Sequence, residues 1–218
     1  MDRRTAACLL NGSGGSRLTT SVDDQLRRTI DDDVQSEGGH RAVVLQGAEG
    51  SGRTTALRRY VELVATEGTP PPLVIARRVA WPGRTAVDLL CDLVTRLSAV
   101  IGVAPADDDD DGMPSPVGNQ RVDLQSLVKS YAGLLRAFSE SARGGRLVVA
   151  VDGLENVRRG GAVSGGDVNW LALPLPVGVH VVATFLAGAD LDSPSLTAAV
   201  GGRSVRTIDV EGLSINQS

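Results

Sequence analysis

Gly47-Ala48-Glu49-Gly50-Ser51-Gly52-Arg53-Thr54 is the stretch on which the reading of this chain turns. It follows a short apolar run, 41–46, and leads into a pattern that puts Leu57, Tyr60, Val61 and Val64 on one helical face. Glycines at 47, 50 and 52, a cation at 53 and a hydroxyl at 54 have the spacing of a phosphate-binding loop, with Arg where Lys is usual. The chemistry needs that spacing: glycines let the backbone wrap a phosphate, the amides of 50–54 converge on it, and the helix N-terminus adds partial positive charge. Arg53 is then placed to reach the terminal phosphates and the Thr54 hydroxyl to ligate Mg2+. Gly47, Gly50, Ser51, Gly52, Arg53, Thr54 and Thr55 are the candidate nucleotide-binding residues. At this chain's composition roughly 0.04 such matches arise by chance, so a plain glycine turn is the weaker explanation.

Working outward, strands and helices alternate. An apolar run at 73–76 precedes a helical stretch from about Thr85 to Ile101, and a second helical stretch runs from Val122 to the glycines at 144 and 145. The run 146–151 is apolar at nearly every position, the mark of a central parallel strand covered on both faces. A further buried strand is predicted over 179–185, a short helix over 193–200 and a last strand over 205–210. An amphipathic helix is expected after Ser21, with Val22, Leu26, Ile30 and Val34 at steps of four. Residues 1–20 read as a flexible leader, and 102–121, with Asp107 to Asp111 and three prolines, as a solvated insertion. The pattern predicts a three-layer α/β fold with a mostly parallel sheet.

Parallel sheets bind ligands beyond the carboxyl ends of their strands. Asp152 ends the central strand, where it would hold Mg2+ through a water and Thr54, provided the two strands lie close. Glu155, three residues on, is the candidate to orient or deprotonate an attacking water. Thr184 ends the strand over 179–185 and is placed either to sense a terminal phosphate or to serve as a satisfied core threonine. His180 and Cys91 read as core residues, and Trp81 and Trp170 as packing anchors.

Composition narrows the class. The chain has 218 residues, 42% apolar, 22% charged and only 3% aromatic, so the core must be aliphatic. A net charge of −4 argues against coating nucleic acid or an anionic membrane. Two cysteines make no disulfide framework and no Cys/His pair has metal spacing; with no signal or membrane-spanning stretch, a cytoplasmic location is expected. Of 22 basic residues only Lys129 is not Arg, so Arg53 is in keeping with the whole chain.

Residues 43–55, 149–155, Trp170-Leu171, Leu173 to Pro176, 179–184 and 205–210 with Leu213-Ser214 together resemble signal-transduction ATPases of the STAND class, in particular NACHT domains of the nephrocystin-3 and telomerase-associated-protein type. Tryptophan and leucine before a proline pair before the sensor strand is the most specific part. The resemblance covers 22–214 and implies a P-loop NTPase core over 21–214, a five-stranded sheet in the order 5-1-4-3-2, and ATP or GTP with Mg2+. It also implies a switch role in larger proteins, with protein partners unidentified and a homo-oligomer left open. The appended domains would begin where the tail 215–218 ends the chain. Three departures weigh on activity: Arg53 for Lys, Asn156 where many NACHT domains have a second acid, and Phe185-Leu186 where the family has Ser-Arg. A nucleotide-binding switch with weak hydrolysis is expected, with an active Mg2+-dependent NTPase and a non-binding interaction scaffold as alternatives.

Overall fold

Five short strands carry the described part of the chain: β1 (Ala42–Gly47), β2 (Leu73–Arg78), β3 (Leu147–Asp152), β4 (Val179–Leu186) and β5 (Val205–Asp209). The structure, a computed structural model, describes residue 28 and residues 42–66, 71–79, 85–102, 123–141, 145–157, 169–187 and 205–210. All pairings are parallel, in the order β2-β3-β4-β1-β5, which is the predicted order read from the other edge.

Helices α1 (Arg53–Ala65), α2 (Ala86–Ile101) and α3 (Leu124–Ser141) cover the two faces. Side chains alternate across a strand, so one strand feeds two cores. Val43 and Leu45 of β1 join Val148, Ala150 and Val182 against Leu57, Tyr60, Val61 and Val64 of α1. Ala42 and Val44 face the other way, into a larger core with Leu89, Leu90, Leu93 and Leu97 of α2 and Leu127, Tyr131, Leu134 and Leu135 of α3. Residues 147–151 of β3 are at most 1% exposed because helices lie on both sides, which is why that run reads as continuously apolar.

Element ends follow local chemistry. Thr85 and Asp88 form a reciprocal capping box that starts α2, one residue later than the expected Thr85, and Gly102 stops it in the left-handed conformation. The third helix starts at Leu124 rather than Val122. β2 runs two residues past the predicted Ala76, to Arg78, because its ladder with β3 continues to the pair Arg78 and Asp152.

Trp170 lies in a 3-10 turn, Asn169–Ala172, is 1% exposed, and meets Tyr131 edge to face at 5.7 Å and 84°. It is the packing anchor expected. Burial pushes the Tyr131 phenol above its ordinary range. His180 is buried on β4. Cys91 is half-buried against the larger core, its thiol pushed up by burial and then by Asp88. Among the described residues no helix is long and apolar enough to cross a membrane. The leader, the helix after Ser21 apart from helical Arg28, Trp81, the acidic insertion beyond Gly102, the helix over 193–200 and the tail lie outside the described residues.

Candidate functional site

The loop leaves β1 at Gly47 and enters α1 at Arg53. A Cβ at Gly47 would stand 2.5 Å from Ser51 Oγ and 2.7 Å from the Val210 carbonyl. Only glycine lets the loop fold back onto the seam where Val210 N–H donates to the Gln46 carbonyl. Gly52, at φ 88°, turns the chain into the helix, and no side chain caps that end among the described residues. The first amides of α1 thus keep their capacity for an anion. Gly50 sits at the exposed tip, Ser51 is buried beneath Gly47, and Thr54 and Thr55 lie on the exposed side of the first turn.

Asp152 ends β3, which is not beside β1; β4 lies between them. The carboxylate nonetheless reaches the loop. Its Oδ1 accepts from the Thr54 hydroxyl at 2.9 Å and from the Thr184 hydroxyl at 2.7 Å, and Thr184 Oγ1 in turn accepts the Gly153 N–H at 2.7 Å. The directions are fixed by chemistry. An amide can only donate, so the Thr184 proton is left for Asp152; an ionised carboxylate can only accept, so Thr54 donates too. The lone pairs of Thr54 therefore remain for a hard cation.

The donor set fits Mg2+. Thr54 Oγ1 and Asp152 Oδ1 stand 2.9 Å apart, and because Oδ1 already accepts two hydroxyl protons, the carboxylate would hold the ion through water beside Thr54. Both are hard oxygen ligands of the type Mg2+ prefers.

Thr184, at 2% exposure, is at once a core threonine and a partner of Asp152. Thr184→Val keeps the shape but strands the buried Gly153 N–H. A loss of about 1–3 kcal/mol in urea unfolding is expected, with Thr184→Ser close to wild type.

Arg53 and Glu155 meet across the site. Arg53 Nη1 lies 3.7 Å from Glu155 Oε1, with side chains 12% and 18% exposed. Arg53 Nη1 has no hydrogen-bond acceptor and Glu155 Oε2 no donor among the described residues, so the pair is a loose ion contact with capacity for other partners. Asn156 turns away from the loop and donates to the Val79 carbonyl at 3.1 Å. Leu186 pairs in register with Gly47, so the residue standing where the resembled family has arginine does lie beside the loop, without a charge.

One residue at this edge escapes sequence reasoning. Arg78 Nε lies 3.7 Å from Asp152 Oδ2. The signal that would have found it is the strand-end rule applied to β2, whose polar end hides its last two residues.

A scan against protein-family models and a search of curated proteins find no match for this chain. Solved structures do match in fold. Drosophila ORC bound to AT-rich DNA and Cdc6 aligns with a TM-score of 0.51 at 14% identity, over 88% of this chain and 56% of that one. The Aeropyrum pernix ORC2 protein, solved as ADPNP-ADP complexes, aligns with a TM-score of 0.50 at 16% identity, over 96% and 51%. The chain thus spans about half the length of the structures it matches. The fold is that of a three-layer α/β P-loop NTPase.

Proposed function

We propose that this chain is a nucleotide-binding switch domain of the STAND type, binding ATP or GTP with Mg2+ and hydrolysing it slowly or not at all. The observation that carries this reading is the hydrogen-bond chain from Gly153 through Thr184 and Asp152 to Thr54, which ties a buried strand end to the first turn after the phosphate loop. In this reading the amides of 50–54 and Arg53 bind the phosphates, and Thr54 and Asp152 hold Mg2+. The ion, when bound, neutralises charge on the β- and γ-phosphates. Slow turnover is supported by Arg53 where the loop usually has Lys and by Leu186 where the resembled family has arginine.

A net charge of −4 favours protein rather than DNA partners. The DNA in the Drosophila structure belongs to that assembly and adds nothing for this chain.

The test is a thermal-shift titration of the chain with MgATP and MgGTP, read beside phosphate release. At nucleotide about 1,000 times above Kd, linkage gives about 4 kcal/mol of stabilisation, or about 8–16 °C for a chain of this size. A shift without release above background supports the switch. Release abolished by Glu155→Gln, with binding retained, would make the chain a working NTPase instead. No shift with either nucleotide would leave only the interaction scaffold.

A further inference from the structure

We propose that Arg78 is a specificity-determining residue, a cation supplied from β2 that contacts the terminal phosphate of a bound nucleoside triphosphate and so separates tri- from diphosphate. The inference rests on the nucleotide-binding reading and goes beyond it in assigning which residue reads the third phosphate.

Arg77 and Arg78 are adjacent yet have opposite surroundings, as side chains on a strand alternate. Arg77 Nε is held at 3.0 Å by Asp92 Oδ2, which also takes Arg96 Nε at 3.0 Å, and its side chain is 16% exposed. That arginine is locked to α2. Arg78 points to the other side, its side chain 74% exposed, with the contact to Asp152 Oδ2 at 3.7 Å. An exposed pair of this length contributes about 0–1 kcal/mol, so packing does not account for a cation at this position. Its place is nonetheless set by the backbone, because Arg78 and Asp152 are register partners at the carboxyl ends of β2 and β3.

Asp152 is addressed from two sides. Thr54 and Thr184 take Oδ1, and Arg78 faces Oδ2. Phosphates held by the loop amides lie on the Thr54 side. A metal ion held by Thr54 and Asp152 would neutralise charge on the phosphates, and a terminal phosphate reaching beyond Thr54 toward the far oxygen of Asp152 would come within range of Arg78. Arg53 reaches the phosphates from the loop side and Leu186 beside Gly47 has no charge to offer, so Arg78 supplies a cation from the far side of Asp152. Arg78 keeps most of its guanidinium donors in solvent, and a flexible side chain of that length reaches an anion on the far side of Asp152 without moving the strand. Arginine suits the task because its fork matches phosphate oxygens in pairs.

The test is calorimetric titration of the wild-type chain, Arg78→Ala and Arg78→Lys with the Mg2+ complexes of a non-hydrolysable ATP analogue and of ADP. Removing a charge-assisted contact worth about 1.5–3 kcal/mol weakens triphosphate binding about 10- to 100-fold. Diphosphate binding is expected to stay within about threefold, with Lys between Ala and wild type. An equal fall for both nucleotides, or none for either, in a chain that binds both would overturn the role of Arg78 alone. Absence of binding by the wild-type chain would overturn it together with the proposed function.

Discussion

Arg53→Ala is expected to remove about one to two thirds of the rise in melting temperature that MgATP or MgGTP gives the wild-type chain. On the proposed reading Arg53 carries the charge that reaches the terminal phosphates, while the loop amides alone hold the rest. With the arginine gone, affinity falls about 10- to 100-fold, the contribution of a charge-assisted phosphate contact of about 1.5–3 kcal/mol. At the same nucleotide concentration the stabilisation then drops from about 4 kcal/mol to about 1.4–2.7 kcal/mol. The substitution also acts on the chain without nucleotide, since it leaves Glu155, 18% exposed, without its cation. At 3.7 Å, with both side chains still touching solvent, that contact lies far from the fully buried limit, and its loss costs about 1 kcal/mol. The double variant Arg53→Ala with Glu155→Gln separates the two effects. It should recover the nucleotide-free melting temperature and still respond to nucleotide only as weakly as Arg53→Ala. Arg53→Lys, by contrast, keeps the charge but shortens the reach toward Glu155, so turnover that rises in this variant would identify the arginine as the restraint on the acid.

Trp170→Ala is expected to lower stability by about 3–5 kcal/mol, a fall of about 6–20 °C in melting temperature, while nucleotide affinity in the folded fraction stays unchanged. The indole is 1% exposed, stands edge to face on Tyr131 and fills the core between the sheet and α2 and α3. The phosphate loop leads into α1, which packs on the opposite face of the sheet. A cavity under Trp170 therefore has no direct path to the loop. Trp170→Phe keeps the ring contact with Tyr131 and gives up an indole N–H that no described residue accepts, so it should cost less than half as much. Should Trp170→Ala weaken MgATP binding tenfold in protein that melts as a single transition, the residue would belong to the nucleotide site and not to the core.

Two kinds of information entered the site. The loop was legible residue by residue because its chemistry is local: glycines at 47, 50 and 52 and Thr54 at the head of a helix are set by spacing alone, and Gly47 proved to be a position where a Cβ meets both Ser51 and the Val210 carbonyl. Asp152 was legible as a strand end because β3 is apolar until it stops there, and Thr184 stood out as a polar residue near the end of β4, which runs two residues further to Leu186. Their meeting was not, since β3 and β1 are not neighbours and 98 residues separate Thr54 from Asp152. The pairing of Arg53 with Glu155 was hidden for the same reason.

By itself, then, the sequence determined the three-layer α/β class, the glycine loop between β1 and α1 and the place of Asp152 at the end of β3, because periodicity and glycine spacing report on backbone geometry within one element. Only the tertiary structure decided which side chains touch. It assigned Thr184 to Asp152, turned Arg53 toward Glu155, and set Arg78 beside the carboxylate from an edge strand whose polar end conceals it. The physical reason is that contacts at the carboxyl edge depend on strand order and register, and these are set by how the two faces of the sheet are covered, far from the residues that meet there.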